Sequence, residues 1–191
     1  MKKFTAMLLV LVMALSLAAC NGGNTTPETT TEPVVAGPAS ALEVLQNIWA
    51  LYADDQKFFA MGGDFNNPVD GAPGAVDVTV VDFLTYNLLI PEAEQANVTE
   101  AASLIHAMNA NTFTCGAYKV ADPAAFATAM QAAVQGNQWM CGFPEKLVVA
   151  SFGGGYVLVA FGVNDAMTPF MTNLKAAYPA AELLVDEAIG G

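Results

Sequence analysis

The sequence contains no arginine, and its six lysines face eighteen acids, so the 191-residue chain carries a formal net charge of -12. Phosphate recognition relies on clustered Lys and Arg, and Arg alone offers a bidentate fork, so nucleic acid is excluded as a partner. There is one histidine, His106, and no nucleophile stands beside a base and an orienting group in a recognisable pattern. Catalysis has little to work with. Only three cysteines are present, and none lies in a C-x-x-C pair. Long apolar runs are absent beyond residue 20. What is plentiful is apolar character in short pieces: 54% of residues are hydrophobic, too many for a disordered acidic tail.

Met1-Lys2-Lys3 is followed by twelve uncharged residues, Ala6 to Leu17. At about 1.5 Å per helical residue this core reaches roughly 18 Å, short of a hydrocarbon layer of about 30 Å, and reads as a signal peptide over residues 1–19. Leu17-Ala18-Ala19-Cys20 resembles the lipobox of bacterial lipoproteins. That resemblance implies cleavage before Cys20 and acylation of its thiol, placing the mature chain on the extracytoplasmic face of the cell membrane. Removal of Lys2 and Lys3 brings the net charge to about -14. Residues 20–39 hold the lipidated Cys and a stretch rich in Thr, Pro, Gly and Asn without helical or strand period, which reads as a tether.

Residues 40–191 suffice for one domain. Ser40-Ala41-Leu42-Glu43 has the form of a capping box, and Leu42, Leu45, Trp49 and Tyr52 make an apolar stripe, predicting a helix to about Tyr52. Residues 62–77 hold four Gly and two Pro and read as loop. A short helix through Phe83 to Leu89, stopped by Pro91, and another from the Asn97/Glu100 cap to Met108 are expected next. From Thr112 the pattern changes. A strand to Val120 is followed by a helix opened by Asp122-Pro123 and ended by Gly136. Two strands, Leu147 to Phe152 and Tyr156 to Phe161, flank Gly153-Gly154-Gly155, and a final helix runs from Asn164 or Asp165 with Met167, Phe170, Met171, Leu174 and Tyr178 inward. Residues 182–189 fit a strand or a short helix. The expected class is α+β: N-terminal helices, then a β-α-β-β-α unit forming an antiparallel sheet with helices on one face, ferredoxin-like if a closing strand is present.

The lipobox, the short helix before Thr-Tyr-Asn-Leu-Leu-Ile-Pro at 85–91, the Tyr118-Lys119-Val120-Ala121-Asp122 step and the Gly155-Tyr156-Val157-Leu158-Val159 strand resemble uncharacterised lipoproteins of Gram-positive bacteria that carry a domain of unknown function. The resemblance covers most of residues 40–178. It implies a secreted, anchored domain and brings no activity, cofactor or site residue with it.

With Cys20 acylated, Cys115 and Cys141 remain, outside the membrane where disulfides persist; a bridge closing 26 residues would contribute roughly 3.5 kcal/mol, with free thiols and a redox pair as alternatives. Asp64, Asn66 and Asp70, with Asn67 and Asp77 nearby, place oxygen ligands in a Gly-rich loop, the chemistry of Ca²⁺, although the spacing is not that of an EF-hand and an Asx-turn loop with solvated carboxylates is the favoured reading. Trp139-Met140-Cys141-Gly142-Phe143-Pro144 is an apolar loop, so Trp139 and Phe143 are either partner contacts or a lid on the sheet. The reading favoured by anchor, tether and missing catalytic trio is a non-catalytic binding domain for an envelope protein or small ligand. A structural envelope role and a carboxylate-dependent, Ca²⁺-assisted hydrolase are the rivals.

Overall fold

The computed structural model describes residues 37–190. The expected signal peptide, Cys20 and nearly all of the expected tether lie outside the described residues. Among the described residues eight strands form one sheet in which every pairing is antiparallel, and there are five α-helices, four of which pack on it. Ser40 caps the first helix, α1 (Ala41–Trp49), by accepting from the Glu43 amide at 3.0 Å. Glu43 reaches back one residue further than a standard capping box, to the amide of Ala39 at 2.8 Å.

The Gly-rich segment is not all loop. It contributes β1 (Ala60–Gly63), β2 (Pro68–Asp70) and β3 (Gly74–Val76), then leads into α2 (Val81–Tyr86) and α3 (Glu92–Gln95). The largest departure from expectation follows. Asn97 to Met108 is not a helix but holds the central strand β4 (Val98–His106), in which Ala101 to Ile105 are buried without a break. A strand covered on both faces loses the alternation of polar and apolar residues, and Ala, Ser and Leu then read as helix formers. Asn97 and Glu100 imitate a cap, but Glu100 serves another purpose: its carboxylate accepts from the Ala41 amide at 2.6 Å and meets the Tyr156 hydroxyl at 3.3 Å.

After β5 (Phe113–Val120) come α4 (Pro123–Gln135), the β6 (Lys146–Phe152) and β7 (Tyr156–Gly162) hairpin, α5 (Asn164–Ala177) and β8 (Glu182–Ala188). Residues 182–189 thus give a strand. The order across the sheet is β2-β1-β4-β5-β7-β6-β8, with β3 also on β4. A ferredoxin-like sheet would place the closing strand beside β5. Here β4 already fills that edge, and β8 pairs with β6. Crossovers between parallel strands of one sheet are right-handed. The β5–α4–β6 and β7–α5–β8 connections step the same way across the sheet from strands of opposite direction, so their helices fall on opposite faces. The expectation of helices on one face is therefore corrected to three layers: α1 and α5 over Leu104, Phe113, Cys115, Val148 and Leu158, and α2 and α4 over Tyr118, Leu147, Val149 and Val159.

Pairing also fixes which ends of the molecule lie together. Ala39 and Ala41 are held by Tyr156 and Glu100, and Gly37 abuts Gly153, so the tether joins at the β6–β7 turn end of the strands. The β4–β5 turn and the 136–145 connection lie beyond Phe113 and Gly162, at the other end. Between Glu100 and His106 the rise along β4 is about 20 Å.

Candidate functional site

At the end away from the tether a cleft of about 420 Å³ opens between the β1–β2 turn, α2 and the β4–β5 turn. Its existence depends on how β1 and β3 share one edge of β4. Residues 60–62 pair with 104–106 and residues 74–76 with 101–103, so the chain leaves the edge at Gly63, makes the β1–β2 ribbon and returns at Gly74. At the crossing the two backbones touch, and a Cβ on Gly62 or Gly74 would run into the other strand. The buried Ser103 hydroxyl donates to the Gly63 carbonyl at 2.7 Å and pins the departure point. Ser103 is thus structural, without a base beside it.

Asp64, only 3% exposed, holds the turn. Its Oδ1 accepts from the amides of Asn66 at 2.8 Å and Asn67 at 3.0 Å, and its Oδ2 from the amide of Asp77 at 2.7 Å. Desolvation pushes the carboxyl up, but these donors together outweigh it and hold its pKa below the usual aspartate value. Asp77 is in turn kept low by the hydroxyl and amide of Thr79. The loop is therefore held as an Asx clasp. Asn66 and Asp70 stay exposed on its outside, and among the described residues no three His, Cys, Asp or Glu side chains are grouped to hold a metal.

The clasp presents Phe65 at 60% exposure, with its ring edge on Phe83 at 5.1 Å between centroids. Met61 and Met108 stand on the rim, and Ile105 lies in the lining. His106 is not on a helix but ends β4. Its Nδ1 accepts from the amides of Met108 and Asn109, each at 3.3 Å, and its ring stacks on Phe58 at 5.6 Å. That arrangement shapes the turn. Asn109 and Asn111 then tie this turn to the 140–142 loop: Asn109 Nδ2 donates to the Cys141 carbonyl at 2.8 Å, and Asn111 Nδ2 to Met140 at 2.6 Å. Met140 and Phe143, 77% and 63% exposed, stand on that loop.

The two alternatives for the Trp139 to Pro144 loop divide between its residues. Trp139 is half-buried against Phe161 at 5.4 Å and serves as the lid, whereas Phe143 faces outward. The Cys115–Cys141 bridge is not formed. Cys115 is wholly buried under α1 and α5, where burial pushes its thiol up, while Cys141 is exposed in the loop at φ +62°. Maleimide treatment of the native chain is expected to modify Cys141 alone, with Cys115 reacting only after unfolding; a native chain with neither thiol reactive would restore the bridge. Met61, Phe65, Met108, Asn109 and Asn111 were not legible as site residues. The one available signal was Phe65, an aromatic amid Gly, Asp and Asn.

The cleft has an apolar floor, and its acid has its oxygens occupied. That suits binding of a largely apolar group in a preformed hollow. A second hollow of about 440 Å³ sits at the opposite end, walled by Gly37, Pro38, Phe152 and Tyr178, where the tether itself joins. Among the described residues no helix is long and apolar enough to cross a membrane. No family model matches this chain, and no curated protein or solved structure is significantly similar to it.

Proposed function

We propose that this chain is a lipoprotein anchored to the extracytoplasmic face of the bacterial cell membrane through acylated Cys20, and that its domain binds an envelope protein or small ligand at the cleft without acting on it chemically. One observation carries the reading: the tether joins the domain at one end of the strands, and the cleft with its exposed Met and Phe side chains lies at the other. An anchored receptor needs that polarity, because a binding surface facing the membrane would be screened from partners. Met61, Phe65 and Met108, exposed together at the cleft, are costly to leave in water and are the kind of surface that a partner covers. Flexible methionine thioethers adapt to what they cover. The domain's chemistry supports binding over catalysis: Ser103 and Asp64 are spent on the fold, and His106 braces a turn.

Native mass spectrometry of the full chain in a non-ionic detergent, after exposure to envelope extract, tests this reading. A bound mass is expected on the wild type and is lost in Phe65→Ser, whose side chain is too exposed for its removal to unfold the domain. A bound mass retained by Phe65→Ser would move the binding surface elsewhere.

A further inference from the structure

Charge decides what kind of molecule the cleft takes. Neither lysine nor arginine occurs in residues 58–118, the stretch from which the cleft is built, and the acids nearest it are Asp64, Asp70, Asp77 and Asp82. Asp70 lies directly opposite Met61 in the β1–β2 ladder, and Asp82 precedes Phe83 in α2. Both are exposed and, among the described residues, make no side-chain hydrogen bond or ion pair. Asp64 and Asp77 add charge at the turn, since their amide and hydroxyl donors keep them ionised at neutral pH. The cation next in sequence, Lys57, is already paired with Asp54 at 3.0 Å.

An apolar cleft with Asp70 across from Met61, Asp82 next to Phe83 and no lysine or arginine in the stretch that builds it attracts a ligand that joins apolar groups to cations, and repels acidic peptides and phosphate-bearing molecules. Resting on the binding reading above, we infer that the occupant is an apolar peptide segment flanked by Lys or Arg. The side chains of such a segment enter between Phe65, Met61 and Met108, while its cationic flanks meet Asp70 and Asp82. The Met140 to Phe143 loop, tied by Asn109 and Asn111 to the turn beside the cleft, gives an extended segment a second contact. The whole chain's net charge adds steering at longer range, within a Debye length of about 10 Å at ordinary salt.

Three short fluorescent peptides with one Leu/Phe/Met core and Lys, Ser or Glu flanks, titrated by anisotropy into the full chain in a non-ionic detergent, test this inference. The Lys-flanked peptide is expected to bind about tenfold tighter than the Ser-flanked one, with the Glu-flanked one weakest, and the advantage should collapse in roughly molar salt. Asp70→Asn with Asp82→Asn should weaken the Lys-flanked peptide severalfold and leave the Ser-flanked one unchanged; circular dichroism verifies that the variant folds. Equal binding of all three peptides, abolished by Phe65→Ser, would overturn the cationic flank and keep the cleft. Binding that Phe65→Ser does not alter would overturn the cleft itself.

Discussion

Cys20→Ala is expected to abolish fatty-acid incorporation completely and to leave the chain uncut before residue 20, as read by metabolic labelling and intact mass. The effect is all-or-none because the thiol is the sole acceptor that the Leu17-Ala18-Ala19-Cys20 segment presents. The consequence for anchoring is large. Each acyl methylene buried contributes about 0.8 kcal/mol, so two chains hold stably where one is marginal. A variant that still carries labelled fatty acid would contradict the assignment of Cys20.

The second large effect is expected at Asp64. Asp64→Ala removes the acceptor of three backbone amides and joins no new one, a loss of about 2 kcal/mol after discounting for the turn amides that water reaches. The same residue sets part of the pH dependence. Its pKa is lower in the folded chain than in the unfolded one, so as pH falls the unfolded state takes up the proton first. Its contribution to stability is therefore constant above the ordinary carboxylate range and is lost as pH drops from there through the lower pKa of the folded state. Asp77 and Glu187, also held low, contribute in the same direction, the latter through Gln135 and Gln131. Denaturant midpoints measured from neutral pH down through the acid range should show a shallower decline in Asp64→Ala than in the wild type. An unchanged slope would mean that the clasp is not holding the turn.

How much of this was readable in the sequence varies with the range of the interaction. Local chemistry was legible. Ser40, the Asp122-Pro123 start, the Gly136 stop and the triglycine turn between β6 and β7 all act on neighbouring amides, and all fall where their residue types place them. α5 shows the limit, because its inward face was legible while its first amide is met by Glu145, nineteen positions earlier in the chain. β4 was misread because its identity depends on two partners, β5 on one edge and β1 with β3 on the other, that no local pattern reveals. That one error carried the rest: without β4, β5 has an open edge and a ferredoxin-like closure looks natural. The Cys pair failed for a similar reason, since a thiol in a central strand points into the core regardless of its spacing from another. The cleft was out of reach because its lining comes from a Gly-rich segment, a short helix and a turn after a strand taken for a helix.

Methionine offers the most direct test of the central claim. Residues 20–191 contain six methionines. Three, Met61, Met108 and Met140, are exposed at the cleft or on the loop tied to it, and three, Met130, Met167 and Met171, are buried in the two cores. Methyl spectra of the chain labelled at methionine, recorded with and without envelope extract, separate a ligand at the cleft from any other event. The account predicts that the signals of Met61, Met108 and Met140 shift or broaden while those of Met130, Met167 and Met171 stay in place. Unmoved cleft methyls, or changes confined to the buried three, would contradict it.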